Sequence, residues 1–129
     1  MSLRRRGLVL AALATVASAA VVPAATAEQD AKRATPVVSV EDDFFAPVSV
    51  KIKQGQKVKW VWSDLNLDTH NVALTGEKPK KVKKSDFKSG SAAISFSYAP
   101  KFKVPGKYGF VCTYHRSVMR MTVNVKKKN

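Results

Sequence analysis

From residue 37 onward the chain alternates apolar and polar residues in steps of two. Val48, Val50 and Ile52 interleave with Ser49, Lys51 and Lys53, and Val58, Trp60 and Trp62 interleave with Lys57, Lys59 and Val61. That period is the signature of half-buried strands, and Gln54-Gly55-Gln56 between the two runs supplies a turn. Further strands are expected over residues 37–40, 71–74, 93–98, 107–112 and 121–125. Pro47, Pro100 and Pro105-Gly106 mark corners. No segment combines a sustained helical period with caps, so the chain is expected to be all-β with little helix beyond a turn near residues 84–87. Seven short strands predict a β-sandwich.

The first residues follow another pattern. Arg4, Arg5 and Arg6 precede an apolar stretch of mostly Ala, Val and Leu over residues 7–22, and Ala25-Thr26-Ala27 stands before the polar Glu28-Gln29-Asp30. This is the layout of a secretory signal peptide, its apolar segment shorter than the ~20 residues of a membrane crossing. Residues 1–27 are therefore expected to be cleaved near Ala27 and the protein exported, to the periplasm or to the cell envelope and beyond, with an uncleaved anchor as the alternative. The arginine pair before Gly7-Leu8-Val9 also resembles a weak twin-arginine signal, which leaves the export route open. Residues 28–35 read as a flexible tether, 36–126 as one domain and 127–129 as a basic tail. After residue 27 there remain 102 residues, enough for one core and too few for two.

Charge narrows the partners. The chain carries a formal +14, and because the first 27 residues hold three arginines and no acid, +11 stays on the remainder. Such a field attracts acidic proteins or an anionic envelope, and export argues against nucleic acid. Lys78, Lys80, Lys81, Lys83 and Lys84 crowd into seven residues. The segment 75–90 is expected to be the least ordered part of the domain, with its lysines on a solvated loop.

Export also makes the single cysteine informative. Oxidising compartments use cysteines in pairs, so a lone Cys112 is an intermolecular bridge, a free thiol or a metal ligand. Cys112-Thr113-Tyr114-His115-Arg116-Ser117-Val118-Met119, with His70-Asn71 upstream, gathers the only cysteine and both histidines into one candidate site. A thiolate, two imidazoles and a weak axial thioether form the donor set that selects copper for electron transfer. Cys112 at the end of one strand and His115 three residues on can meet one metal across a tight loop. Met121 is a rival to Met119, but its register with Val123 and Val125 assigns it to the core. Trp60 and Trp62 read as packing residues, Glu41-Asp42-Asp43 as a turn with a minor metal contact as the alternative, and Asn71 either as an ordinary turn residue or as a bridge between ligand loops.

The Cys112-x-x-His115 step with a following Met, the upstream His70-Asn71 and the Gly-Lys-Tyr-Gly-Phe-Val strand leading into Cys112 resemble the cupredoxins of the plastocyanin, pseudoazurin and amicyanin group. The resemblance spans residues 37–125. It implies a Greek-key sandwich and one type 1 copper ion bound by His70, Cys112, His115 and Met119, with Asn71 tying the ligand loops together. It also implies a monomeric carrier of single electrons, not an enzyme, with His115 as the electron exit and, given Arg116 beside it, redox partners with acidic docking surfaces. Copper storage or delivery without redox turnover is the alternative. A zinc hydrolase using the cysteine and both histidines is a third reading, and it lacks an evident general base. Three residues separate His115 from Met119, where relatives commonly have two or four.

Overall fold

A computed structural model of the chain describes residues 34–129. The expected signal peptide, its cleavage site and most of the expected tether lie outside the described residues. Eight strands follow in order: β1 (Val37–Glu41), β2 (Phe44–Ala46), β3 (Ser49–Lys53), β4 (Lys59–Trp62), β5 (Ala73–Leu74), β6 (Ser97–Tyr98), β7 (Gly106–Val111) and β8 (Arg120–Lys126). They form two four-stranded sheets, β2-β1-β4-β6 and β3-β8-β7-β5. The β1/β4 and β3/β8 pairs are parallel and the others antiparallel. This is the sandwich the alternation called for, with the Greek-key topology the resemblance implied.

Burial follows the period of two. Val50 and Ile52 of β3, Trp60 and Trp62 of β4, and Met121, Val123 and Val125 of β8 all point into the core, while the lysines between them face solvent. Gly55 makes the expected turn with φ +91°, a conformation that costs a residue with a Cβ, and its N–H donates to the Phe102 carbonyl. Trp60 sits in a cluster of rings with Tyr98, Phe102 and Phe110, and Phe87 stacks on Phe102 with centroids 4.8 Å apart. Strand β7 departs from alternation: Tyr108, Gly109, Phe110 and Val111 are all buried. Its outer face is covered by the chain after β5, where the Thr75 N–H donates to the Gly109 carbonyl and the Gly109 N–H to that of Glu77. A Cβ on Gly109 would stand 2.8 Å from Thr75 Oγ1 and 3.0 Å from Glu77 Oε2, so glycine is what lets these two side chains lie over the strand.

Three expectations are corrected. The described residues form eight strands, not seven; β2 was missed because it is three residues long and only Phe45 of Phe44-Phe45 is buried. The strands expected over 71–74 and 93–98 shrink to Ala73–Leu74 and Ser97–Tyr98: the Val72 N–H donates to the Ser89 hydroxyl, and Ser95 breaks the extended backbone at φ +55°. The segment 75–90 is not a loose loop: Val82 and Phe87 are core residues and a short 3-10 turn spans Lys84–Asp86. Lys80, Lys81, Lys83 and Lys84 are solvent-exposed, as a charge run on a surface should be. Two apolar residues set five apart among lysines carry no period, which hid their burial.

Candidate metal centre

Cys112 follows directly on β7, and the chain then turns back to enter β8. Four backbone hydrogen bonds build that turn. The Cys112 N–H donates to the Met119 carbonyl (3.1 Å), the His115 N–H to that of Cys112 (3.2 Å), and the Val118 and Met119 N–H groups both to that of His115 (3.2 and 2.9 Å). A loop with three residues between His115 and Met119 is thus closed by its own backbone. His70 is placed by the chain that enters β5, the neighbour of β7 in the same sheet. It exchanges backbone hydrogen bonds with Ala92 (2.9 and 3.1 Å), and its carbonyl accepts the Trp62 indole N–H at 3.2 Å.

These two segments bring the expected donors together. Cys112 Sγ lies 3.9 Å from His70 Nδ1 and 3.6 Å from His115 Nδ1, and the donor atoms of the three residues all fall within 4.8 Å of one another. Metal–nitrogen bonds of about 2.0–2.1 Å and a metal–sulfur bond of about 2.3 Å, spread around one ion at tetrahedral to trigonal angles, separate nitrogen from sulfur by about 3.6–3.8 Å. The two sulfur–nitrogen separations lie in or within about 0.1 Å of that range, and the donor set, which spans up to 4.8 Å, would close inward slightly around a single ion. His70 and Cys112 are fully buried, whereas the His115 side chain keeps 23% of its surface exposed. Met119 is fully buried. Met121 lies in the core, where its sulfur accepts the Trp60 indole N–H at 3.1 Å.

Protonation of His70 follows from its second nitrogen. Nε2 stands 2.7 Å from Asp42 Oδ1, and an ionised carboxylate only accepts, so Nε2 carries the hydrogen and Nδ1 offers its lone pair toward Cys112. The bond to His70, followed by that from the Leu67 N–H, holds the Asp42 carboxyl below the usual carboxylate range. Glu41-Asp42-Asp43 does form the β1–β2 turn, with Asp43 at φ +68°. Asp42's contact with a candidate ligand was the feature sequence reasoning missed. No spacing connects residues 42 and 70, and only the hairpin's position over the 63–69 loop reveals the pair.

Asn71 joins the two ligand segments directly. Its side-chain amide donates to Thr113 Oγ1 and its carbonyl oxygen accepts the Thr113 N–H, each at 2.8 Å. Asn71→Ala would strand the N–H of a residue next to Cys112. A loss of about 1 kcal/mol in unfolding free energy is expected, as for a half-buried hydrogen-bond pair removed, measured by chemical denaturation of the copper-free protein. Thr113→Val, which keeps the backbone bond, should lose less.

The sandwich and its buried thiolate–imidazole cluster define a mononuclear copper protein. Residues 35–126 match the family model for copper binding proteins of the plastocyanin/azurin family, and the chain belongs to that family. Among solved structures, amicyanin from Paracoccus versutus is 30% identical, with a TM-score of 0.59 over 71% of this chain and 81% of that one. A purple cupredoxin from Nitrosopumilus maritimus is 19% identical, with a TM-score of 0.57 over 70% of this chain and 99% of its own. The Cu-containing nitrite reductase of Thermus scotoductus SA-01 shares the fold with a TM-score of 0.63 at 19% identity over 74% of this chain, but this chain spans only 23% of its length.

Proposed function

We propose that the protein is an exported carrier of single electrons whose copper ion is bound by His70, Cys112 and His115, with Met119 as the weak axial ligand. The observation that carries this reading is the triangle of Cys112 Sγ and two Nδ1 atoms, held by a closed loop, a paired His70 backbone and the Asn71–Thr113 clasp. When bound there, copper supplies a one-electron Cu(I)/Cu(II) couple. The chain's own part is to keep the donors in place in both oxidation states, so that little moves when the electron passes. Thiolate and thioether favour the reduced ion, and imidazole serves either. His115, the only partly exposed member of the triangle, is the exit, and its own loop displays Tyr114 and Val118.

Met119 is favoured over Met121 because the Met121 sulfur already accepts the Trp60 indole. Met119→Leu is expected to shift both the visible spectrum and the reduction potential. Met121→Leu should leave the spectrum in place but strand the buried Trp60 indole N–H, at a cost of about 1–3 kcal/mol. The reverse pattern would transfer the axial role to Met121.

Export rests on the leader-like first 27 residues. The partner class rests on charge: Lys84, Arg116 and Arg120 line a cleft beside Thr113, which suits acidic groups around a partner's redox centre, and the remaining lysines suit an anionic envelope. Addition of Cu(II) to the purified protein tests the reading. An intense visible band with a reversible one-electron couple supports it; a colourless complex overturns it in favour of copper delivery or zinc binding.

A further inference from the structure

We propose that Asp42 is the positioning residue of the copper centre: its carboxylate locks the His70 ring with Nδ1 toward Cys112 and, through its charge, sets the reduction potential low. The inference rests on the copper reading above and adds a residue that no ligand pattern contains.

The geometry carries it. Both carboxylate oxygens of Asp42 are occupied from one side. Oδ1 accepts from His70 Nε2 (2.7 Å) and the Asp68 N–H (3.2 Å), and Oδ2 accepts the Leu67 N–H (2.9 Å). The loop that leads into His70 thus fixes the carboxylate, and the carboxylate fixes the ring. His70 is wholly buried, so the imidazole has no solvent alternative to this acceptor. A carboxylate on the far nitrogen makes an imidazole a stronger donor, and an anion held one ring away from the ion stabilises Cu(II) over Cu(I). The same residue links His70 to the stretch that displays Leu65 and Leu67, 86% and 89% exposed, so a displacement of that surface reaches the ligand through one side chain.

Asp42→Asn separates charge from shape. The amide oxygen can replace Oδ1 toward His70 and Asp68, while the amide NH2 faces the Leu67 N–H and loses that bond. Asp68→Asn removes one exposed charge from the same loop and serves as control. In the copper-loaded protein, Asp42→Asn is expected to weaken Cu(II) binding by about 10–100-fold. If Cu(I) binding is unchanged, even the lower end of that range raises the potential by about 59 mV, the one-electron equivalent of tenfold. Asp68→Asn should change neither by more than a small fraction of that.

A second arm needs no copper. Nitrogen NMR of the copper-free protein with its imidazoles neutral should show His70 protonated at Nε2, and Asp42→Ala should mix the two tautomers. Equal potential shifts in the two Asn variants, an unshifted potential in Asp42→Asn, or an unchanged tautomer in Asp42→Ala would each overturn the proposal. Because the tautomer is read without metal, failure of the electron-carrier reading is distinguishable from failure of this one.

Discussion

Cys112→Ser is expected to abolish the intense visible absorption of the copper-loaded protein while leaving the fold in place. The chain has one cysteine, so no second thiolate can take over. Serine keeps the shape but offers a hard hydroxyl, which neither loses its proton readily at neutral pH nor provides the soft donor that selects copper. Cys112 is fully buried, and exchanging its sulfur for a hydroxyl in that setting costs about 1–3 kcal/mol. The copper-free variant should therefore still unfold cooperatively. Absorption and electron spin resonance spectra of the two proteins loaded with Cu(II) check this, and a band that survived would place the copper away from Cys112.

Phe102→Ala should have the largest effect on stability, because Phe102 is where the two sheets and the covering segment meet. Its ring is wholly buried against Phe87, Tyr108, Trp60 and Phe110, with centroids 4.8–6.5 Å away. Its backbone holds the 54–56 turn at both ends: its carbonyl accepts the Gly55 N–H and its N–H donates to the Gln56 carbonyl. Removing a ring from such a site costs about 3–5 kcal/mol. Single domains rarely hold more than about 5–15 kcal/mol in total, so the copper-free variant should be marginal. Each kcal/mol lowers the midpoint of thermal unfolding by about 4–8 °C in a domain of this size. Copper at about a thousandfold excess over its dissociation constant should return at most about 4 kcal/mol, reduced by whatever copper binds to the cysteine and histidines of the unfolded chain. A loss below about 1 kcal/mol, well under that range, would mean that the aromatic cluster is not the centre of the core.

Much of this was legible in advance for a local reason. A strand's period of two writes itself into neighbouring residues, so β3, β4 and β8 stood out, and Gln54-Gly55-Gln56 marked its own turn. Cys112 and His115 are likewise three residues apart on one loop, and their chemistry and spacing travel together in the chain. Failure came where burial depends on what lies opposite. Val82 and Phe87 sit in a run of lysines yet close the core, and β2 exists because the acidic turn folds Phe44–Ala46 back on β1.

By itself the sequence determined the donor types, the all-β architecture and the strand-loop-strand setting of Cys112 and His115, because each is carried by residues close together along the chain. Tertiary structure alone decided three further things: that His70 Nδ1 comes within 3.9 Å of Cys112 Sγ, that Asn71 clasps Thr113, and that Asp42 holds the back of the His70 ring. These pairs are separated by 42, 42 and 28 residues. The first two follow from the pairing of β5 with β7 and the third from how the two sheets stack, and no local period encodes either.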